Sequence, residues 1–111
     1  MIHTAKAVIA QQAAAIEGLI PQLTSDFELV IRWVQDSNGR LVLTGIGKSA
    51  IIGMKISATL NSTGTKSIFM HAADAIHGDL GMIDTADIVI CLSKSGTTPE
   101  IKTLVPLLKN R

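Results

Sequence analysis

Three short runs rich in apolar residues, Leu41-Val42-Leu43-Thr44, Lys66 to Met70 and Asp87-Ile88-Val89-Ile90-Cys91-Leu92, constrain this chain more than any other feature. Such runs read as strands buried on both faces, and strands of that kind belong to a parallel sheet covered by helices on each side. The intervals agree with this. After the first run, Gly45 to Gly47 reads as a tight loop and Ser49 to Thr63 as a helix stopped by Gly64. After the third, a polar loop leads into a helix from Pro99 to about Lys109. The predicted fold is α/β, a three-layer αβα sandwich around a parallel sheet.

Ahead of the first strand, Ala7, Ile9, Ala13, Ile16, Leu19 and Ile20 fall at helical spacing over residues 3 to 20, with Pro21 disturbing the pattern near its end. Ser25 followed by Glu28 reads as a capping box, and Phe27, Val30, Ile31 and Val34 form one face of a second helix ending near Asn38-Gly39. Residues 1–38 are thus a helical lead-in and residues 41–111 a series of strand-loop-helix units. Three strands are few for a doubly wound sheet, so the chain reads as the N-terminal part of one domain, truncated after its third unit. The segment from His71 to Gly81 is too polar for core and longer than a minimal connection, which marks it as a functional loop.

Composition narrows the function. The chain has 111 residues, a formal net charge of +1 and scattered Lys and Arg, with no basic stripe to follow a nucleic-acid backbone. Gln11, Gln12 and Glu17 interrupt the apolar N-terminus before a signal-peptide core or a membrane span develops, so a cytoplasmic protein with no membrane partner is expected. Cys91 is the only cysteine, which excludes a disulfide framework and a CxxC metal site; it reads as a small buried hydrophobe. Aromatic residues make up 3% and tyrosine is absent. Recognition therefore falls to backbone amides, hydroxyls and a few ionisable groups.

Gly45-Ile46-Gly47-Lys48-Ser49-Ala50 follows a strand and opens a helix, where loop amides can receive a phosphate. A P-loop would need glycine at Val42, which lies inside the strand. The dinucleotide pattern GxGxxA is met by Gly45, Gly47 and Ala50, yet the second strand ends in Met70-His71 where a ribose-binding acid belongs. Ser93-Lys94-Ser95-Gly96-Thr97-Thr98-Pro99-Glu100 arrives at the same sheet edge. Its hydroxyls on Ser93, Ser95, Thr97 and Thr98, with Gly96 for close backbone approach and Thr98 as a helix cap before Pro99, suit one small phosphate shared between the two loops. Lys48 stands at the mouth of that site. His71 and His77 flank Asp74, and Asp79 follows, but His-x5-His is no tight zinc spacing, so only adventitious zinc is expected. No cofactor is needed.

The pair GIGKS and SKSGTTPE, with STGTKSIFMHAADAIHGDLGMI at residues 62 to 83, resembles the sugar isomerase (SIS) domain, and within it the arabinose-5-phosphate isomerases of Kdo and lipopolysaccharide biosynthesis. The resemblance runs from the helical lead-in to Arg111. It implies interconversion of D-arabinose 5-phosphate and D-ribulose 5-phosphate by a SIS domain usually followed by CBS modules. By motif, Ser49, Ser93, Ser95 and Thr98 match phosphate-binding hydroxyls, with Gly47, Gly96 and Thr97 among the substrate-binding residues. Lys48, Glu100 and His77 match catalytically relevant ones, and Gly64, Thr65, His71 and His77 match positions that touch substrate. His71 also matches a position associated with inhibitory zinc. The resemblance further implies a homo-oligomeric parent with a second half carrying another glutamate and histidine, and a 111-residue chain inactive alone. A non-catalytic phosphosugar-sensing module is the alternative.

Overall fold

The computed structural model describes residues 1–109; Asn110 and Arg111, the end of the expected domain, lie outside the described residues. The chain divides into two compact units, Met1–Gln35 and Asp36–Arg111.

The first unit holds α1 (Ile2–Glu17), a 3-10 turn (Ile20–Gln22) and most of α2 (Ser25–Asp36). Pro21 sits in the 3-10 turn, beyond the end of α1, so the first helix stops three residues earlier than its periodicity predicts. The cap of the second helix also moves by one residue, from Ser25 to Thr24, and the expected capping box with Glu28 gives way to a single hydroxyl cap. The Thr24 hydroxyl accepts from the Asp26 N–H at 3.3 Å and the Thr24 carbonyl from the Phe27 N–H, so Thr24 opens α2 and Ser25 is already inside it. No residue of α1 or α2 is buried.

The second unit contains β1 (Leu41–Gly45), α3 (Lys48–Ser62), β2 (Ser67–His71), α4 (Ala72–Ile76), a 3-10 turn (Asp79–Met82), β3 (Ile88–Cys91) and α5 (Pro99–Lys109). The three strands form one parallel sheet in the order β2-β1-β3. The central strand is buried along its whole length, as its unbroken apolar run requires. Alternation divides the side chains between two faces. Val42, Met70 and, less deeply, Ile68, Val89 and Cys91 meet Ala72, Ala75, Ile101 and Leu104 from α4 and α5. Phe69 and Leu92 face α3, where Gly53 lies so close that a Cβ would stand 3.1 Å from the Phe69 ring and 3.3 Å from Leu92. Helices on both faces complete the three layers, and the α/β sandwich expected from the sequence is present.

The segment from His71 to Gly81 is the chief correction. It is not an open loop: Ala72 and Ala75 are fully buried beneath a five-residue helix, and a 3-10 turn follows. Its polar residues point outward while two alanines join the core. Polar contacts fix the ends of the other elements. At the start of β1, the Arg40 N–H and guanidinium both donate to the Asp87 carboxylate, at 2.8 and 2.9 Å, and the same guanidinium reaches the Met82 carbonyl. At the start of β2, the Asn61 amide accepts from the Ser67 N–H and donates to the Ser67 carbonyl, while the Ser57 and Ser67 hydroxyls meet each other. Gly64, at φ +96°, turns the chain between them, and the Thr65 N–H returns to the Leu60 carbonyl to close α3.

Candidate functional site

Parallel strands direct their C-terminal ends one way, so whatever follows β1 and β3 must meet at one edge. The meeting is close. The Leu92 N–H donates to the Thr44 carbonyl at 2.9 Å, and a Cβ on Gly45 would lie 3.1–3.2 Å from the backbone of Ser49 and the carbonyl of Leu92. A side chain at this point would press on both the start of α3 and the end of β3.

The first loop turns at Gly47, whose φ of 62° and ψ of −131° belong to glycine. The Gly47 carbonyl accepts from the Ala50 and Ile51 N–H groups, and no side chain caps α3. The first amides of a fifteen-residue helix, at Lys48 and Ser49, therefore present the positive end of the helix dipole without a side-chain cap. Lys48 is exposed and Ser49 half-buried.

The second loop is already folded on its own hydroxyls. Ser93 Oγ and Thr98 Oγ1 lie 2.8 Å apart, and Ser93 Oγ also accepts from the Gly96 N–H at 3.0 Å. Ser95 Oγ accepts from both the Thr97 N–H and the Thr97 hydroxyl, each at 3.1 Å. Gly96, at φ +73°, makes the turn. The Thr98 carbonyl accepts from the Lys102 N–H and begins α5, while its hydroxyl is shared with Ser93. The loop is thus a cluster of short hydroxyls closed on itself, with the Gly96 and Thr97 amides held by Ser93 and Ser95. Glu100 follows, half-buried, in the first turn of α5. Among the described residues neither Glu100 nor Lys48 is spent in an ion pair.

The histidines bracket α4. His71 closes β2 beside Gly45, and its Nδ1 accepts from the Ala73 N–H at 3.2 Å. His77 ends the same helix, with its N–H donating to the Ala73 and Asp74 carbonyls. One edge thus collects Gly47, Lys48, Ser49, His71, Ser93 to Thr98 and Glu100, with His77 one short helix away. Gly64 and Thr65 are not brought there. They precede Ser67, which pairs with Leu41 at the start of β1, whereas His71 pairs with Gly45 at its end. Four residues of strand, about 13 Å, separate the two edges.

The lone pair at His71 Nδ1 is engaged by Ala73, and among the described residues no group of three or more His, Cys, Asp or Glu side chains could hold a metal. Cys91 is half-buried against the core, and burial pushes its thiol up from the usual range. Reasoning from motifs missed Thr44. Its side chain is fully buried at the end of the central strand, between Met70 and Cys91, and its Oγ1 has no hydrogen-bond partner. A hydroxyl closing an otherwise apolar strand was the available signal.

Known proteins resemble this chain in sequence and in fold. The arabinose 5-phosphate isomerase KpsF of Escherichia coli O6:H1 (strain CFT073) is 48% identical over 111 residues, covering 99% of this chain and 34% of its own length. The arabinose 5-phosphate isomerase KdsD of Pseudomonas aeruginosa is 46% identical over 108 residues, covering 97% of this chain and 33% of its own. This chain spans about a third of the length of these curated relatives. Among solved structures, c3406 of E. coli CFT073 in complex with A5P superposes with a TM-score of 0.92 at 43% identity, over 98% of this chain and 58% of that one. Residues 34–111 match the SIS domain, and the chain belongs to that family.

Proposed function

We propose that the protein is an aldose-ketose isomerase that interconverts D-arabinose 5-phosphate and D-ribulose 5-phosphate in the cytoplasm, for Kdo and lipopolysaccharide synthesis. One observation carries the reading. Two loops meet beyond adjacent strands, the first presenting the amides of α3 without a side-chain cap and the second a cluster of hydroxyls, and each is followed at once by an ionisable side chain, Lys48 on α3 and Glu100 on α5. The names borne by similar proteins support the same substrate.

In this reading the phosphate rests among Ser93, Ser95, Gly96, Thr97 and Thr98 and takes the Gly96 and Thr97 N–H groups over from Ser93 and Ser95, with Gly47 and Ser49 closing the other side. The sugar then extends toward Glu100. A base removes the proton from C2 of the open-chain aldose while the C1 oxygen is protonated; the resulting enediol loses its C2 hydroxyl proton and takes a proton at C1, leaving the ketose. Glu100 is the base or supports it, and Lys48 and His77 polarise the sugar oxygens as charge develops. Gly64 and Thr65, at the far edge, touch substrate only where another subunit of a homo-oligomer presents them. Residues 1–111 alone are inactive in this reading, because the resemblance implies a further glutamate and histidine in a second half of the domain. No nucleic acid or membrane takes part.

The test is turnover of arabinose 5-phosphate by the full-length protein in deuterium oxide. Label should enter C1 of the ketose and, on return, C2 of the aldose. Glu100→Gln should slow this exchange by about 10²–10⁴-fold with phosphate affinity retained. Full turnover in Glu100→Gln removes Glu100 from the chemistry, and binding without any turnover in the unaltered protein marks a sensing module instead.

A further inference from the structure

His71 does two things at once. It ends β2 opposite Gly45, and with extended backbone (φ −65°, ψ 131°) it immediately precedes α4. Its Nδ1 takes the place that a serine or aspartate oxygen usually fills, accepting from the Ala73 N–H at 3.2 Å. That bond decides the chemistry of the ring. A neutral imidazole carries one N–H and one lone pair, so a lone pair engaged at Nδ1 leaves the proton on Nε2. The outward nitrogen is then a donor.

A metal ion needs the lone pair that this tautomer lacks at Nε2. Moving the proton to Nδ1 would free Nε2, but it would also set an N–H against the Ala73 N–H. The surroundings offer no alternative set of ligands. No group of three or more His, Cys, Asp or Glu side chains among the described residues could hold a metal. His77 lies at the opposite end of the same short helix, about 9 Å away along its axis. The Phe69 ring, centred 6.4 Å from that of His71 and near-perpendicular to it, contributes an apolar neighbour and no ligand.

We propose that His71 is a helix-capping residue held in the Nε2–H tautomer, that it offers a hydrogen-bond donor at the site's edge, and that a metal ion can take its ring only by releasing the cap of α4. Metal binding at His71 and an intact cap of α4 exclude each other. The statement concerns the resting protein and stands apart from the isomerase reading. If that reading also holds, His71 supplies substrate with a donor and not with a base.

The experiment uses the full-length protein with ¹⁵N-labelled histidine, reading ring tautomers by two-bond proton-nitrogen correlation and α4 by hydrogen exchange over residues 72–77, with and without zinc chloride. The expected result is a protonated Nε2 on His71. Zinc should either leave the His71 signals in place or shift them together with a loss of protection over residues 72–77. His71→Asn, which keeps a capping oxygen, should retain that protection, while His71→Ala should lose it by about 5-fold. A protonated Nδ1, a zinc-bound His71 with α4 still protected, or a His71→Ala protein as protected as the original would each overturn the proposal. None of these readouts depends on turnover.

Discussion

Asp87 is the most heavily engaged carboxylate among the described residues. It accepts from the Arg40 backbone and guanidinium and from the Asp84 N–H. The Arg40 side-chain hydrogen bond leads in holding its pKa down, to about 2 from 3.8, against the opposite pull of burial; the backbone donors of Asp84 and Arg40 assist. Because the folded value is depressed, the stability this contributes is complete above the ordinary carboxylate range and is lost as pH falls from about 4 toward 2. Asp87→Asn should therefore lower the melting temperature at neutral pH by about 5 °C and flatten its acid dependence, as calorimetry across pH would show. At the other edge, Gly47 occupies a conformation closed to side chains. Gly47→Ala should cost about 1–3 kcal/mol in chemical denaturation and, by shifting the first amides of α3, weaken binding of the phosphosugar. The two residues differ in legibility. Gly47 announces itself because its neighbours in sequence are its neighbours in space; the partner of Asp87 lies 47 positions away, and nothing local points to Arg40.

Among the elements, those with enough length to show a period or an unbroken apolar run were legible: all three strands fall within a residue of their expected limits, and α3 and α5 begin and end close to theirs. The short helix α4 was not. Five residues hold barely one turn, its buried members are alanines that signal no hydrophobic face, and its cap is an imidazole. The cap of α2 was misplaced because Thr24 and Ser25 are both good capping residues, and the choice between them rests on the Thr24 contacts with Asp26 and Phe27. Element packing also sets its own mutational costs. Gly39 passes so close to Ala86 that a Cβ would lie 2.2 Å from the Ala86 carbonyl oxygen. Gly39→Ala should therefore push the β1 entry away from the segment before β3 and cost about 1–3 kcal/mol, a loss measurable in urea. Gly53→Ala meets only the flexible edge of Phe69 and Leu92 and should cost less.

For the whole molecule, the convergence of the two loops at one sheet edge was legible, since both follow strands of the same parallel sheet. What required three dimensions was the separation of Gly64 and Thr65 from the rest, because residues matched by motif carry no record of which end of a strand they flank. Ligand linkage tests the assembled site in full-length protein. Arabinose 5-phosphate at a hundredfold excess over its dissociation constant should stabilise the fold by about 2.7 kcal/mol, and arabinose without phosphate should give almost no shift. Ser95→Ala should reduce affinity several-fold, about 1 kcal/mol, and shrink the thermal shift at fixed ligand accordingly. The contact of Gly45 with Ser49 and Leu92 carries a further consequence, one for descent. The two loops are cut to each other's measure, so a lineage that lengthens or swells one must recut the other in step. Position 45 is accordingly expected to stay glycine wherever the two backbones keep this approach, and a chimera exchanging only one loop with a distant relative should fold poorly until its counterpart is exchanged as well.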